Sequence, residues 1–213
     1  LNEMIPFESL IAFTVASILL GLAPGPDNIF VLTQSALHGR KNGIFVTLGL
    51  CTGLIFHTVA VGFGVAAIFQ VSVLAFTILK IIGAAYLMYL AWQAFKISAS
   101  RLEGKGANQL SASQLYRRGI IMNITNPKVS IFFLAFLPQF ASPANGPMVF
   151  QIMMLGLIFI ITTLLVFSGI AMVAGSLGNW LSRSPKVQTY MNRIAGTVFV
   201  GLALKLATTS TDS

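Results

Sequence analysis

Residues 148–177 read MVFQIMMLGLIFIITTLLVFSGIAMVAGSL and contain no charged side chain. A helix that crosses a bilayer needs about 20 mostly apolar residues, so this segment is long enough to span a membrane. Outward from it, further apolar runs alternate with short polar segments, and two of those runs are interrupted by proline. The sequence therefore predicts an all-α integral membrane protein of about six transmembrane helices, at about 10–37, 44–69, 73–95, 119–140, 148–177 and 190–206.

Composition agrees with a single membrane domain over residues 1–213, because 56% of the residues are apolar and only 8% are charged. The first eight residues lack the basic start and the cleavage pattern of a signal peptide, so we expect the first apolar run to be retained. The lone Cys51 lies inside an apolar run and is expected to be a packing residue.

The basic residues predict the orientation, because short loops rich in Lys and Arg stay in the cytoplasm. They follow the first, third and fifth runs: Arg40 and Lys41; Lys96, Arg101, Lys105, Arg117 and Arg118; Arg183 and Lys186. This pattern predicts six spans with both termini outside the cytoplasm, although a re-entrant first segment would give five true spans. The net charge of +8 is better explained by topology and anionic lipid than by nucleic-acid binding.

The two halves of the chain share one sequence feature, a proline-containing interruption of an apolar run. Gly25-Pro26-Asp27-Asn28 interrupts the first apolar run, and Asn126-Pro127-Lys128 interrupts the fourth. Prolines commonly kink membrane helices, but these two breaks match in position and each carries an ionisable residue. We predict two inverted three-helix repeats, at about 7–95 and 119–206, joined by a basic cytoplasmic linker at about 96–118.

A charge inside a membrane is costly and usually faces a cavity or a partner. Asp27 and Lys128 have opposite sign and equivalent positions, so they could neutralise each other or hold the ammonium and carboxylate of an amino acid. The prolines free backbone carbonyls that could bind a cation, and the helix starting near Asn28 could face a carboxylate. The predicted substrate site comprises Pro24, Gly25, Pro26, Asp27, Asn28, Asn126, Pro127 and Lys128.

Three further polar residues are candidates near this site. His57 shares a helical face with small residues and faces packed protein; it could relay a proton, as could Asp27, or simply bond a nearby carbonyl. Gln34 lies on the helical face of Asp27 and could extend the polar lining, and Asn123 could bond the unwound second break. Lys80 is expected to extend its side chain along the protein to the membrane interface.

The motifs Leu22-Ala23-Pro24-Gly25-Pro26-Asp27 and Asn123-Ile124-Thr125-Asn126-Pro127-Lys128, with Leu137-Pro138-Gln139-Phe140 downstream, resemble those of the LysE/RhtB family of bacterial amino-acid exporters. The likeness covers nearly the whole chain. It implies secondary-active, proton-driven efflux across the bacterial inner membrane. The sequence is closer to the branch for neutral amino acids such as threonine, homoserine and leucine, or homoserine lactone, than to the basic amino-acid exporters.

Other function classes find less support in the residues. No serine, histidine and acid set, His/Cys metal cluster or phosphate loop can be assembled, so neither an enzyme nor a cofactor or metal is predicted. An intramembrane enzyme using Asp27 and His57, a channel, and an exporter of another metabolite remain as alternatives. A channel would favour rings of like groups rather than paired opposite charges. The small-residue helix faces are compatible with a homodimer.

Overall fold

The computed structural model describes residues 4–71, 73–96, 110–181 and 185–208, and these residues contain eight α-helices and no β-strand. The helices are α1 (Phe7–Leu22), α2 (Pro26–His38), α3 (Arg40–Val71), α4 (Val73–Lys96), α5 (Ala112–Ile124), α6 (Pro127–Ile131), α7 (Met148–Leu181) and α8 (Pro185–Thr208). A π-helical segment (Phe132–Phe136) and a 3-10 turn (Leu137–Phe140) continue α6. Arg101, Lys105 and Arg183, used above to predict orientation, lie outside the described residues.

The prediction of an all-α membrane protein is confirmed. Residues 40–64, 77–96 and 148–176 each form a helix long and apolar enough to cross a bilayer, and each of two bent helix pairs could form one more span, which makes up to five. The sixth predicted span lies on α8, where the described apolar part is the shorter stretch 196–208. A sixth crossing, the inverted relation of the halves and the orientation stay predictions.

Large apolar side chains point outward along these helices. Phe150 and Leu165 on α7 are 67% and 68% exposed, and Ile81 on α4 is 61% exposed. In water such a surface would promote aggregation, whereas in a bilayer it is matched to the lipid chains. The outward faces therefore fit lipid as the surrounding solvent.

Both halves begin with a bent helix pair followed by two long helices, as the sequence predicts. Helices α1 and α2 meet at 59°, and α5 meets the segment Pro127–Phe140 at 48°. In each case the second helix starts with proline at its first position, where the missing N–H costs nothing. The two bends thus follow from local sequence.

Helix α5 begins earlier than expected. Residues 112–118 were assigned to the basic linker, but they form the first two turns of α5. A capping box starts the helix, because the Ser111 hydroxyl accepts from the Gln114 amide and the Gln114 side chain accepts from the Ser111 amide. The linker assignment was wrong over these residues, because the charges of Arg117 and Arg118 resemble those of a loop although the two residues lie in a helix.

Helix α3 lies at the centre of the molecule, packed against α5 and α7, while α4 packs along α8. Helices α3 and α5 cross at Gly49 and Gly119, where a Cβ on Gly119 would lie 3.1 Å from the Gly49 Cα. Such a close approach is typical of small-residue contacts between membrane helices. It brings the end of α5, and with it the second break, against the middle of α3.

Candidate functional site

The first break leaves backbone carbonyls without helical donors. In a continuous helix the Pro24 amide would donate to the Leu20 carbonyl, but proline has no N–H. The side chain of Lys128, from the other half of the chain, replaces it: Nζ donates to the Leu20 oxygen at 3.3 Å and to the Ala23 oxygen at 3.1 Å. The C-terminus of α1 is thus capped by a cation from the second break, which suits the negative end of its dipole.

Asn28 completes the cap of α1 from the first turn of α2. Its Nδ2 donates to the Gly21 oxygen at 2.6 Å and to the Ala23 oxygen at 2.8 Å. Gly25, the N-cap of α2, leaves room for the incoming lysine, because a Cβ there would lie 3.0 Å from Lys128 Nζ. The break is therefore a compact turn built around side-chain amide and ammonium groups.

At the second break, too, a proline leaves a backbone carbonyl without its helical donor, and other residues take the place of that donor. Pro127 cannot donate to the Asn123 carbonyl, and that oxygen instead lies 3.2 Å from His57 Nε2 and 3.1 Å from the Asn126 amide nitrogen. Asn126 then caps α6, since its Oδ1 accepts from the Lys128 amide at 3.0 Å. His57, on α3, therefore binds the carbonyl freed by the proline of the other half.

Asp27 lies between the two breaks with only 2% of its surface exposed, and Lys128 is 5% exposed. The Asp27 carboxyl is close enough to Lys128 for a Coulombic interaction, and the side chains of Asn123 and Asn126 lie beside it. In the described part of the chain the hydrogen bonds of the Lys128 ammonium go to carbonyls, so its interaction with Asp27 is one of charge.

Several polar atoms around Asp27 remain unsatisfied. Considering only the described residues, four buried atoms here have no hydrogen-bond partner: Asp27 Oδ1, Asn28 Oδ1, Asn123 Oδ1 and Asn126 Nδ2. Buried polar atoms are nearly always paired, so a cluster of unpaired ones is unusual in a packed interior and is typical of a binding site. The one donor, on Asn126, lies beside the Asp27 carboxyl and can turn to it, so the acceptor oxygens are the atoms left for a ligand, and they suit an ammonium group.

The structure brings together the residues that the sequence placed at the two breaks: Pro24, Gly25, Pro26, Asp27, Asn28, Asn126, Pro127 and Lys128. Their role in substrate binding stays a prediction. Asn123 and His57 join them, whereas Gln34 lies two turns along α2, half-buried, with its Oε1 unpartnered among the described residues.

Sequence reasoning missed one feature of this site and misjudged the side chain of one further residue, Lys80. It did not identify the carbonyls of Leu20 and Ala23 as the partners of Lys128, although the proline four residues after Leu20 was a signal for the first. It also predicted that Lys80 extends to the membrane interface, and this was wrong: Lys80 is only 8% exposed. Its apolar neighbours in sequence gave no sign of an inward orientation.

An aromatic cluster borders the site on the side of the π-helical segment. The His57 ring lies 5.6 Å from Phe133, and Phe159 lies 5.1 Å from both Phe132 and Phe133. The members are Phe13, Phe132, Phe133, Phe136, Phe140 and Phe159, all buried. They place an apolar, aromatic layer next to the polar atoms at the breaks.

Comparison with known proteins gives concordant similarities. The family described as LysE type translocator matches residues 18–210. A homoserine/homoserine lactone efflux protein of Salmonella typhimurium is 36% identical, with 94% of this chain and 97% of the relative aligned. An uncharacterized membrane protein of Vibrio cholerae is 33% identical over 93% of this chain and 96% of its own length. No solved structure matches the chain.

Proposed function

This chain belongs to the family of LysE-type translocators, and from that premise we propose that it exports homoserine, homoserine lactone or a similar neutral amino acid. The resemblance in its motifs is thereby confirmed, and the chain is a membrane transport protein. The coupling, the substrate and the binding site are part of this proposal. We propose that the exporter lies in the bacterial inner membrane and that export of the substrate is coupled to the entry of protons.

The observation that carries the proposal is the unpartnered carboxylate oxygen of Asp27. A buried carboxylate between two broken helices can accept a hydrogen bond from a substrate ammonium, and a charge-assisted bond of this kind is roughly twice as strong as a neutral one. Broken helices that meet between two halves are where secondary transporters commonly bind substrate. Asp27 is therefore assigned to the substrate ammonium.

Homoserine and its lactone differ at the carboxyl group, since the lactone has a neutral ester there. A site that accepts both cannot depend on a cation to bind a carboxylate. The side-chain amide of Asn126, which lies beside Asp27, can donate to a carboxylate or to an ester carbonyl and so does not require a charged acceptor. Lys128 is already bonded to two carbonyls, which favours its predicted role as a charge that neutralises Asp27 over a role in binding the substrate carboxylate.

Proton coupling follows from the same carboxylate. When the substrate ammonium leaves, a proton can take its place on Asp27, because an ionised carboxylate is costly in a buried site within the membrane. Exchange of ammonium for proton at Asp27 links export to proton entry. His57 borders Asn123, which lies beside Asp27, and is the second group assigned to the proton path.

Counterflow in proteoliposomes tests the proposal. Vesicles loaded with unlabelled homoserine should accumulate radiolabelled homoserine saturably, and an imposed pH gradient should accelerate its net movement. The lactone should compete, whereas γ-butyrolactone, which lacks the ammonium group, should not. Equal competition by γ-butyrolactone would remove Asp27 from substrate binding, and flux that does not saturate would indicate a channel.

A further inference from the structure

The oxygens around Lys128 Nζ have the chemistry of a cation site. The Leu20 and Ala23 carbonyls lie at 3.3 and 3.1 Å, and the Asp27 carboxyl supplies negative charge nearby. All three groups belong to the first break, whereas the lysine comes from the second. The first half of the chain thus builds an oxygen cage, and the second half fills it.

The cage admits an ammonium group because of Gly25. A Cβ at this position would lie 3.0 Å from Nζ, a tight contact that would push the cation back by a few tenths of an ångström, so glycine leaves the most room for it. Asn28 fixes the cage independently of Lys128, because its Nδ2 bonds the Gly21 and Ala23 oxygens from within the first half. Most of the cage should therefore persist when the lysine leaves.

We propose that this cage is a binding site for primary ammonium groups in general, which Lys128 occupies in the present conformation as a tethered competitor. The lysine head group and a free alkylammonium ion present the same three N–H donors. As far as it concerns transport, the inference rests on the proposed function: the substrate ammonium enters the cage as Lys128 withdraws. Removing the lysine then increases ammonium binding while export is lost.

Alkylammonium binding to a Lys128→Ala variant is the first test. Propylammonium replaces the atoms that this substitution removes, from Cγ to Nζ. It should raise the Tm of the purified variant with the logarithm of its concentration above the Kd, by on the order of 5 °C at about 100 times the Kd. The wild-type protein and Lys96→Ala, with their cage filled, should show no such shift, and tetramethylammonium, which has no N–H, should be inactive on all three.

A second variant keeps the test decisive if Lys128→Ala does not insert. Lys128→Met retains an apolar side chain of similar length and leaves less space, so methylammonium should stabilise it more than propylammonium. Adding Asp27→Asn should abolish either shift. Equal shifts in wild type and variants, or none in any of them, would overturn the cage.

The two ideas can fail separately. A Tm shift without homoserine counterflow would leave the cage standing and refute the proposed substrate. Homoserine counterflow in the wild type without any alkylammonium shift in the variants would refute the cage and leave the exporter standing.

Discussion

At the scale of single residues, Asp27 is the group whose placement has least to do with stability. One carboxylate oxygen is buried without a partner among the described residues, inside a segment that would reside in lipid. Burying a polar group without a hydrogen bond costs roughly 1–3 kcal/mol by mutational measures, and more for a charge. Packing does not require a carboxylate here, because asparagine has the same shape. A role in binding or proton transfer therefore explains the carboxylate at position 27 better than a role in packing does.

We expect Asp27→Asn to reduce homoserine counterflow by roughly 10- to 150-fold, because a hydrogen bond to a charged group contributes about 1.5–3 kcal/mol. The amide preserves shape, so the variant should insert and purify like the wild type. Initial rates in proteoliposomes provide the measurement. Glu8→Gln, the same exchange at an exposed position in the first turn of α1, is the matched control. Normal counterflow in Asp27→Asn would show that the site lies elsewhere.

His57 has two assigned roles, which glutamine can separate. Gln can still donate to the Asn123 carbonyl, now 3.2 Å from His57 Nε2, but it cannot titrate. We therefore expect His57→Gln to retain counterflow within about 2-fold, as exchange moves no net protons, and to lose acceleration by a pH gradient. Homoserine transport measured without and with an imposed pH gradient gives the counterflow rate and its acceleration. Full acceleration in His57→Gln would leave His57 as a cap of the second break only.

At the scale of elements, the crossing of α3 and α5 positions the second break. A methyl group on Gly49 would meet the carbonyl oxygen of Tyr116 and lie 3.0 Å from the Gly119 Cα. We expect Gly49→Ala to destabilise the protein by about 1–3 kcal/mol, which is the usual cost of overpacking, and to lower its Tm in detergent.

Gly64→Ala, on the same helix, is the control for this prediction. Its Cβ would have no neighbour within 4 Å, so the substitution should leave the Tm unchanged or raise it slightly through helix propensity. A fall in Tm of the same size in both variants would mean that helix α3 responds to alanine as such. The close crossing would then not be the cause.

The sequence predicted the helices and their breaks because proline and apolar length act locally. It could not predict the partners of the freed carbonyls, since Lys128 and Leu20 are far apart in the chain and only packing of the halves joins them. Opposite charges suggested an ion pair between Asp27 and Lys128, yet the lysine is bonded to the backbone. The start of α5 was missed because its charged first turns resemble a loop, although Ser111 and Gln114 form a readable cap.

At the scale of the whole molecule, the two halves cap each other. Lys128 of the second half bonds the carbonyl freed by Pro24, and His57 of the first half contacts the carbonyl freed by Pro127. If one half moves against the other during transport, we expect both contacts to change. Because a substrate or proton binding between the breaks alters these contacts, local binding can be converted into movement of the halves.

The final prediction concerns how the chain crosses the membrane. In a Cys51→Ser background we expect single cysteines at Met4, Ala144 and Thr208 to react with a membrane-impermeant maleimide in intact cells, and a cysteine at Lys41 to react only after permeabilisation. This pattern follows from six spans with basic loops inside. Protection at Met4 would indicate a re-entrant first segment, and protection at Thr208 would mean that α8 does not cross. Labelling of the cysteine at Lys41 in intact cells would show that the orientation is the reverse of the predicted one.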